Sequence, residues 1–151
     1  GLSEAEHHED ALAVKEAELA MKRRLGADEE SLLVAQGNLA ATYAKIGRLE
    51  EAVQMERDVY SGYLNLYGEQ DKDTLRAAGN CISTLVGLLR FEEVKALFRK
   101  TIPVARRVCG AGDDLILKMS WNYARALYRD PAATLDDVRE AVTTLEDTER
   151  T

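Results

Sequence analysis

The chain repeats itself at a spacing of 42 residues, and that period constrains its fold more than any other feature. Gly26, Gly68 and Gly110 fall at this spacing, as do Asn38, Asn80 and Asn122. The text around the glycines reads Leu25-Gly26-Ala27-Asp28, Tyr67-Gly68-Glu69-Gln70 and Cys109-Gly110-Ala111-Gly112. Each Asn follows its glycine inside a helix-like apolar pattern. A period of this size belongs to a stack of supersecondary units, each unable to bury its apolar face alone. Such stacks offer an extended surface to other macromolecules, so the period favours an interaction module.

Within one period two helical patterns alternate. Leu32, Leu33, Leu39, Ala40 and Tyr43 recur at three- and four-residue steps, which places them on one helix face. Gly47 ends that pattern as a helix-terminating glycine would. Leu49-Glu50-Glu51-Ala52 opens a second helix, continued by Val53, Val59, Tyr60, Tyr63 and Leu66 and closed at Gly68. The next period copies this hairpin. Leu75, Ala78, Cys81, Ile82, Leu85 and Leu89 mark its first helix; Phe91, Val94, Leu97, Phe98, Ile102, Ala105 and Val108 mark its second. Pro103 lies inside that second helix, where a lost backbone hydrogen bond predicts a kink or break.

The third hairpin starts with Asp113 or Asp114 as its cap and Ile116, Met119, Tyr123, Ala124 and Leu127 as its stripe. Its internal turn, from Arg129 to Thr134, is two residues longer than its counterparts, before Leu135-Asp136-Asp137-Val138 resumes the pattern. In front of the hairpins, residues 10–26 read as a lone helix of the second type, with Leu12, Val14, Leu19 and Met21 on its stripe. The expected organisation is therefore one domain over residues 1–151: the leading helix at 10–26, then repeats at 27–68, 69–110 and 111–151. Seven helices and no strand account for the whole text. Both ends cut across the repeat, as in a piece of a longer array or a short array covered by partners.

Composition narrows the function. The net charge of −7 sets the molecule as a whole against nucleic acid and anionic membrane, since phosphate binding needs clustered Lys and Arg. No apolar run approaches the roughly 20 residues of a membrane span. The first residues resemble no secretory signal, so an aqueous compartment, cytoplasm or organelle interior, is expected. Two cysteines, Cys81 and Cys109, are too few for a disulfide framework. Adjacent His7 and His8 point in different directions on a helix and make a poor metal site. Gly110-Ala111-Gly112 lacks both a preceding strand and a third glycine, so it fails as a phosphate loop. No nucleophile, base and orienting acid stand at useful spacings, and neither catalysis nor a cofactor or metal is expected.

The hairpin text resembles tetratricopeptide repeats, in particular the 42-residue variety of kinesin light chains and related repeat proteins. The matching residues are Gly37-Asn38-Leu39-Ala40-Ala41-Thr42-Tyr43, followed by Gly47-Arg48-Leu49-Glu50-Glu51-Ala52. The stretch from Tyr67-Gly68 to Asp73-Thr74-Leu75 resembles the family's inter-repeat turn, and the resemblance covers residues 10–151. There are departures. The family's His-Pro pair is replaced by Glu29-Glu30, Asp71-Lys72 and Asp113-Asp114. The first Asn of its usual pair is Gly37, Gly79 or Trp121. Ile82 stands where Ala40 does, and Leu85 and Leu127 where Tyr43 does. The resemblance implies an all-α, right-handed superhelical solenoid of antiparallel hairpins whose first helices line a concave groove.

On that fold Asn38, Asn80 and Asn122 would project into the groove and hold the backbone of a bound peptide, for which an amide is suited because it both donates and accepts. The alternative is that each Asn bridges neighbouring helices. Asn is a mediocre helix residue, costing roughly half a kcal/mol against Ala, so three at one register call for a reason. One turn before the ladder stand Val34, Arg76 and Lys118; one turn after lie Lys45, Arg125 and Arg129. With Trp121 beside Asn122, these cations form the aromatic and arginine mixture common in anchor pockets. The expected partner is a peptide segment, acidic or amphipathic. Each single cation could equally pair with Asp73, Asp113 or Asp114.

A second basic cluster (Lys95, Arg99, Lys100, Arg106, Arg107) and the carboxylates of the last helix (Asp136, Asp137, Glu140, Glu146, Asp147, Glu149) read as solvated outer faces. The rival to a groove binder is a structural linker, bridging neighbouring subunits of an assembly through helix ends.

Overall fold

A computed structural model describes residues 2–149 of the chain. Seven helices follow one another: α1 (Leu2–Arg24), α2 (Glu29–Lys45), α3 (Leu49–Tyr67), α4 (Lys72–Gly87), α5 (Phe91–Cys109), α6 (Asp114–Arg129) and α7 (Leu135–Glu149). No strand occurs among the described residues. Each helix packs on the next, and α4 also packs on α6, so the hairpins α2–α3, α4–α5 and α6–α7 stack behind the leading helix. This is the expected all-α solenoid. No described helix is long and apolar enough to cross a membrane.

The starts of the first helices are set by aspartates. Asp28 accepts from the Ser31 amide at 2.8 Å, Asp71 from Asp73 at 2.9 Å, and Asp113 from Leu115 at 2.9 Å. Each satisfies an amide that the first helical turn would leave unbonded. Asp113, and not Asp114, is thus the cap of α6. At the turn inside the first hairpin Gly47 has φ of 83°, and one period later Leu89 takes the same left-handed role at φ 60°. A side chain in that region costs roughly 1–2 kcal/mol, which the packed hairpin on either side sustains.

The leading helix departs from expectation twice. It begins at Leu2 instead of near residue 10, since Leu2, Glu4, Ala5, Glu6 and Glu9 propagate a helix readily. Val14 and Met21 are exposed; only Leu12 and Leu19 of the expected stripe are buried. Polar contacts complete its attachment to α2. Lys15 Nζ donates to Thr42 Oγ1 at 2.7 Å, and the Tyr43 hydroxyl donates to Glu16 Oε1 at 2.8 Å.

α5 runs unbroken through Pro103, so the expected break does not occur. Pro103 is exposed, and the missing amide leaves one carbonyl on the solvent side without its helical donor. The longer third turn is tied down at both ends. Asp130 Oδ1 accepts from the Ala132 amide at 2.9 Å, and Thr134 and Asp137 cap one another reciprocally at 3.0 and 3.1 Å.

The basic face of α5 is not simply solvated. Lys95 is buried and its Nζ lies 3.3 Å from Asp137 and 3.6 Å from Asp130. Arg99 donates to Glu140 at 2.7 and 3.1 Å. Four of the residues read as outer-face charges therefore staple α5 to α7. The main apolar core lies between α4, α5 and α6, where Phe98 and Tyr123 stack with ring centroids 3.9 Å apart. Cys81 is buried, and desolvation pushes its thiol up to about 12, which fits a packing residue.

Candidate functional site

The period brings equivalent residues to each junction between first helices, and the two junctions are built differently. Between α4 and α6, Gly79 lies under Leu115 and Met119; a Cβ there would stand 3.0 Å from Leu115 Cδ1. Gly37, one period earlier, has nothing within 4 Å of the same position. α4 and α6 meet closely, whereas α2 and α4 do not. Between α2 and α4 the surface opens into a cavity of about 350 Å³ lined by Val34, Gly37, Asn38, Tyr63, Arg76 and Asn80, among others. A second cavity of about 210 Å³ adjoins it, sharing Gly37, Ala41 and Asn80 and reaching Glu56, Ser83, Thr84 and Lys118.

Side-chain volume accounts for the opening. Leu115 and Met119 fill the tight junction against Gly79, and one period earlier their places are held by Asp73 and Ala77. Neither a short carboxylate nor an alanine methyl comes within 4 Å of a Cβ at Gly37. The small side chains of Gly37, Ala41 and Ala44 leave the opposite wall bare.

Asn38 and Asn80 are exposed on this opening. Asn80 Oδ1 accepts from Lys118 Nζ at 3.3 Å across the α4–α6 junction. Arg76 donates to Asp73 at 3.0 Å on its own helix. Both cations of the groove are thus engaged, Arg76 by a neighbour of the kind the sequence suggested. Glu56, on α3, forms the floor. It is only 8% exposed, and its Oε2 has no hydrogen-bond partner. Burial pushes its carboxyl up to about 7, opposed by a hydrogen bond with Thr84 and by the charge of Lys118.

The remaining candidates lie elsewhere. Asn122 is 8% exposed, so the third residue of the ladder is largely buried and does not repeat the exposed setting of the first two. Trp121, Arg125 and Arg129 line a separate groove of about 440 Å³ between α6 and α7, with Tyr128, Val138 and Val142. That groove corresponds to the α4–α5 face that α6 covers, and it is apolar and open: Trp121 is 55% and Tyr128 90% exposed. Trp121 occupies the register of Gly37 and Gly79, so a helix could not approach α6 there as closely as α6 approaches α4. Lys45 is exposed at the C-terminal end of α2 and lines none of these three cavities. The nine expected residues therefore divide between two grooves, one buried position and one helix end.

Glu56 escaped sequence reading, although a signal was present. It falls between Ala52, Val53, Val59 and Tyr63 on the apolar stripe of α3, at three- and four-residue steps. A Glu on such a stripe is buried, and buried carboxylates are rare without a partner. Among the described residues no three His, Cys, Asp or Glu gather as metal ligands, and His7 and His8 are exposed.

No protein-family model and no curated protein sequence matches the chain. Among solved structures it is similar to the crystal structure of BtubC (BKLC) from P. vanneervenii, a kinesin light chain-like protein. The two share 13% identity with a TM-score of 0.63, covering 98% of this chain and 70% of that one. At that identity the likeness shows the fold alone, an all-α helical-repeat solenoid.

Proposed function

We propose that the chain is a protein–protein interaction module that holds a peptide segment in the opening between α2 and α4. The observation that carries this reading is the asymmetry of the stack. The same register that is packed shut between α4 and α6 is left open between α2 and α4, and exposed amides of Asn38 and Asn80 face the gap. An extended peptide has one donor and one acceptor per residue, and the two amides can meet both. A helical-repeat fold supports the reading, since such stacks serve as binding surfaces.

Selection of a displayed library of linear peptides on the wild-type chain tests it. Selected peptides are retested on Gly37→Leu, whose Cβ has nothing within 4 Å and whose side chain extends into the gap, and on an Asn38→Ala, Asn80→Ala double variant. Loss of binding to both variants, at unchanged helicity and melting temperature, supports the groove. Undiminished binding removes the α2–α4 opening from consideration.

A second reading is favoured by the α6–α7 groove. Its apolar lining and open face are what a linker between subunits would present to a neighbour. Concentration-dependent sedimentation of the chain, abolished by Val138→Glu together with Val142→Glu, would support that role.

A further inference from the structure

We propose that the α6–α7 groove seats α1 of a second copy of the chain, so that copies join head to tail. The inference rests on the linker reading of that groove and names its occupant. The stack itself supplies the precedent: one hairpin earlier, the corresponding face of α4–α5 is covered by a helix, α6. On the α6–α7 face Trp121, Tyr128, Val138 and Val142 are left exposed. Covering an apolar surface of this kind removes it from water and favours association.

The exposed side of α1 has the matching chemistry. Leu12 and Leu19 bury one face of this helix against α2. Val14, Ala17 and Met21 follow at three- and four-residue steps on the opposite side, and Leu25 extends the stripe just past the helix end. Val14 is 66%, Met21 61% and Leu25 78% exposed, so a second apolar face of α1 meets solvent in the single chain. The shapes are complementary. Where Gly79 admits Leu115 and Met119, the α6–α7 groove carries the bulk of Trp121, and α1 meets it with Ala13, Ala17 and Ala20, all exposed. The charges are complementary as well. Arg125 and Arg129 lie one turn apart on the groove and form no ion pair among the described residues. Glu6 and Asp10, exposed and also one turn apart, continue the α1 stripe toward its N-terminus. Helix and groove lie on different parts of the chain, so the contact is heterologous and repeats from copy to copy.

Sedimentation equilibrium of the whole chain tests the proposal. The average mass of the wild type should rise with concentration. Val14→Glu with Met21→Glu spoils the helix face, and Val138→Glu with Val142→Glu spoils the groove; all four side chains are exposed, so helicity should be unchanged. Each double variant alone should be monomeric. An equimolar mixture of the two should form a one-to-one dimer that grows no further, because one intact helix then meets one intact groove. If either variant fails to fold, charge reversal takes its place. Arg125→Glu with Arg129→Glu should weaken association by on the order of tenfold, and adding Glu6→Arg with Asp10→Arg should restore it. A swap that fails to restore association overturns the seat. A groove variant that is monomeric, beside an α1 variant that still associates, overturns the seat and leaves the linker reading standing. Association that neither variant disturbs overturns both. A wild type that stays monomeric at every concentration overturns the second copy as occupant and leaves the groove to a different subunit.

Discussion

The junction between α2 and α4 and the junction between α4 and α6 use the same register and reach opposite results. At the second, Gly79 lets Leu115 and Met119 approach, and the Phe98–Tyr123 stack fills the space behind. At the first, a Cβ at Gly37 meets nothing within 4 Å, and Asp73 and Ala77 stand where Leu115 and Met119 would be. A glycine in a repeat is therefore not by itself a close-packing device. What closes the junction is the partner volume on the facing helices, and where that volume is missing the same glycine becomes the wall of a cavity.

The largest effect should come from removing the aromatic stack between α5 and α6 that lies behind the tight junction. Tyr123 is fully buried, and Tyr123→Ala is expected to cost about 4 kcal/mol in chemical denaturation. A loss below about 1 kcal/mol would mean that the stack does not hold α6 in place. An intermediate effect is expected from Glu56. Its folded-state carboxyl stands at about 7, above the ordinary 4.5 of an unfolded chain. Below the unfolded value both states are protonated and no penalty exists; as pH rises through the folded value the native state loses its advantage. Stability of the wild type should thus fall by on the order of 2 kcal/mol between about pH 4.5 and 7.5 relative to Glu56→Gln. Parallel pH profiles for the two proteins would remove the buried charge from the open junction. The smallest effect belongs to Arg76, which forms an exposed pair with Asp73. Arg76→Ala should leave the unfolding midpoint within experimental scatter, and a clear drop would show that this pair props the opening.

Much of the fold was legible because periodicity is a property of the whole sequence. Three glycines and three asparagines at one spacing fix hairpin number, and the acidic Asp28, Asp71 and Asp113 mark where the first helices start. The inward face of α1 was not legible, since Val14 and Leu12 are equally apolar and the choice was made by Tyr43 and Thr42 on another helix. The nine site candidates were read as one groove because register alone cannot tell an inner repeat from the last one. Trp121, Arg125 and Arg129 share the register of groove residues but line the α6–α7 face. Asn122 shares the register of Asn38 and Asn80 and is buried. The charges of α5 and α7 read as solvent-facing because Lys95 and Asp137 are brought together only by the stacking of hairpins.

The most direct test of the open and closed junctions is a pair of matched substitutions, Gly37→Leu and Gly79→Leu, compared by equilibrium denaturation. At Gly37 an added Cβ has nothing within 4 Å and the rest of a leucine extends toward the opening. A poor helix former is exchanged for a good one, so Gly37→Leu should leave stability unchanged or raise it by up to about 1 kcal/mol. Gly79→Leu must displace Leu115 and Met119 and should lose about 2 kcal/mol. Equal losses at both positions would contradict the account, because they would mean that α2 and α4 are packed together and that no groove lies between them.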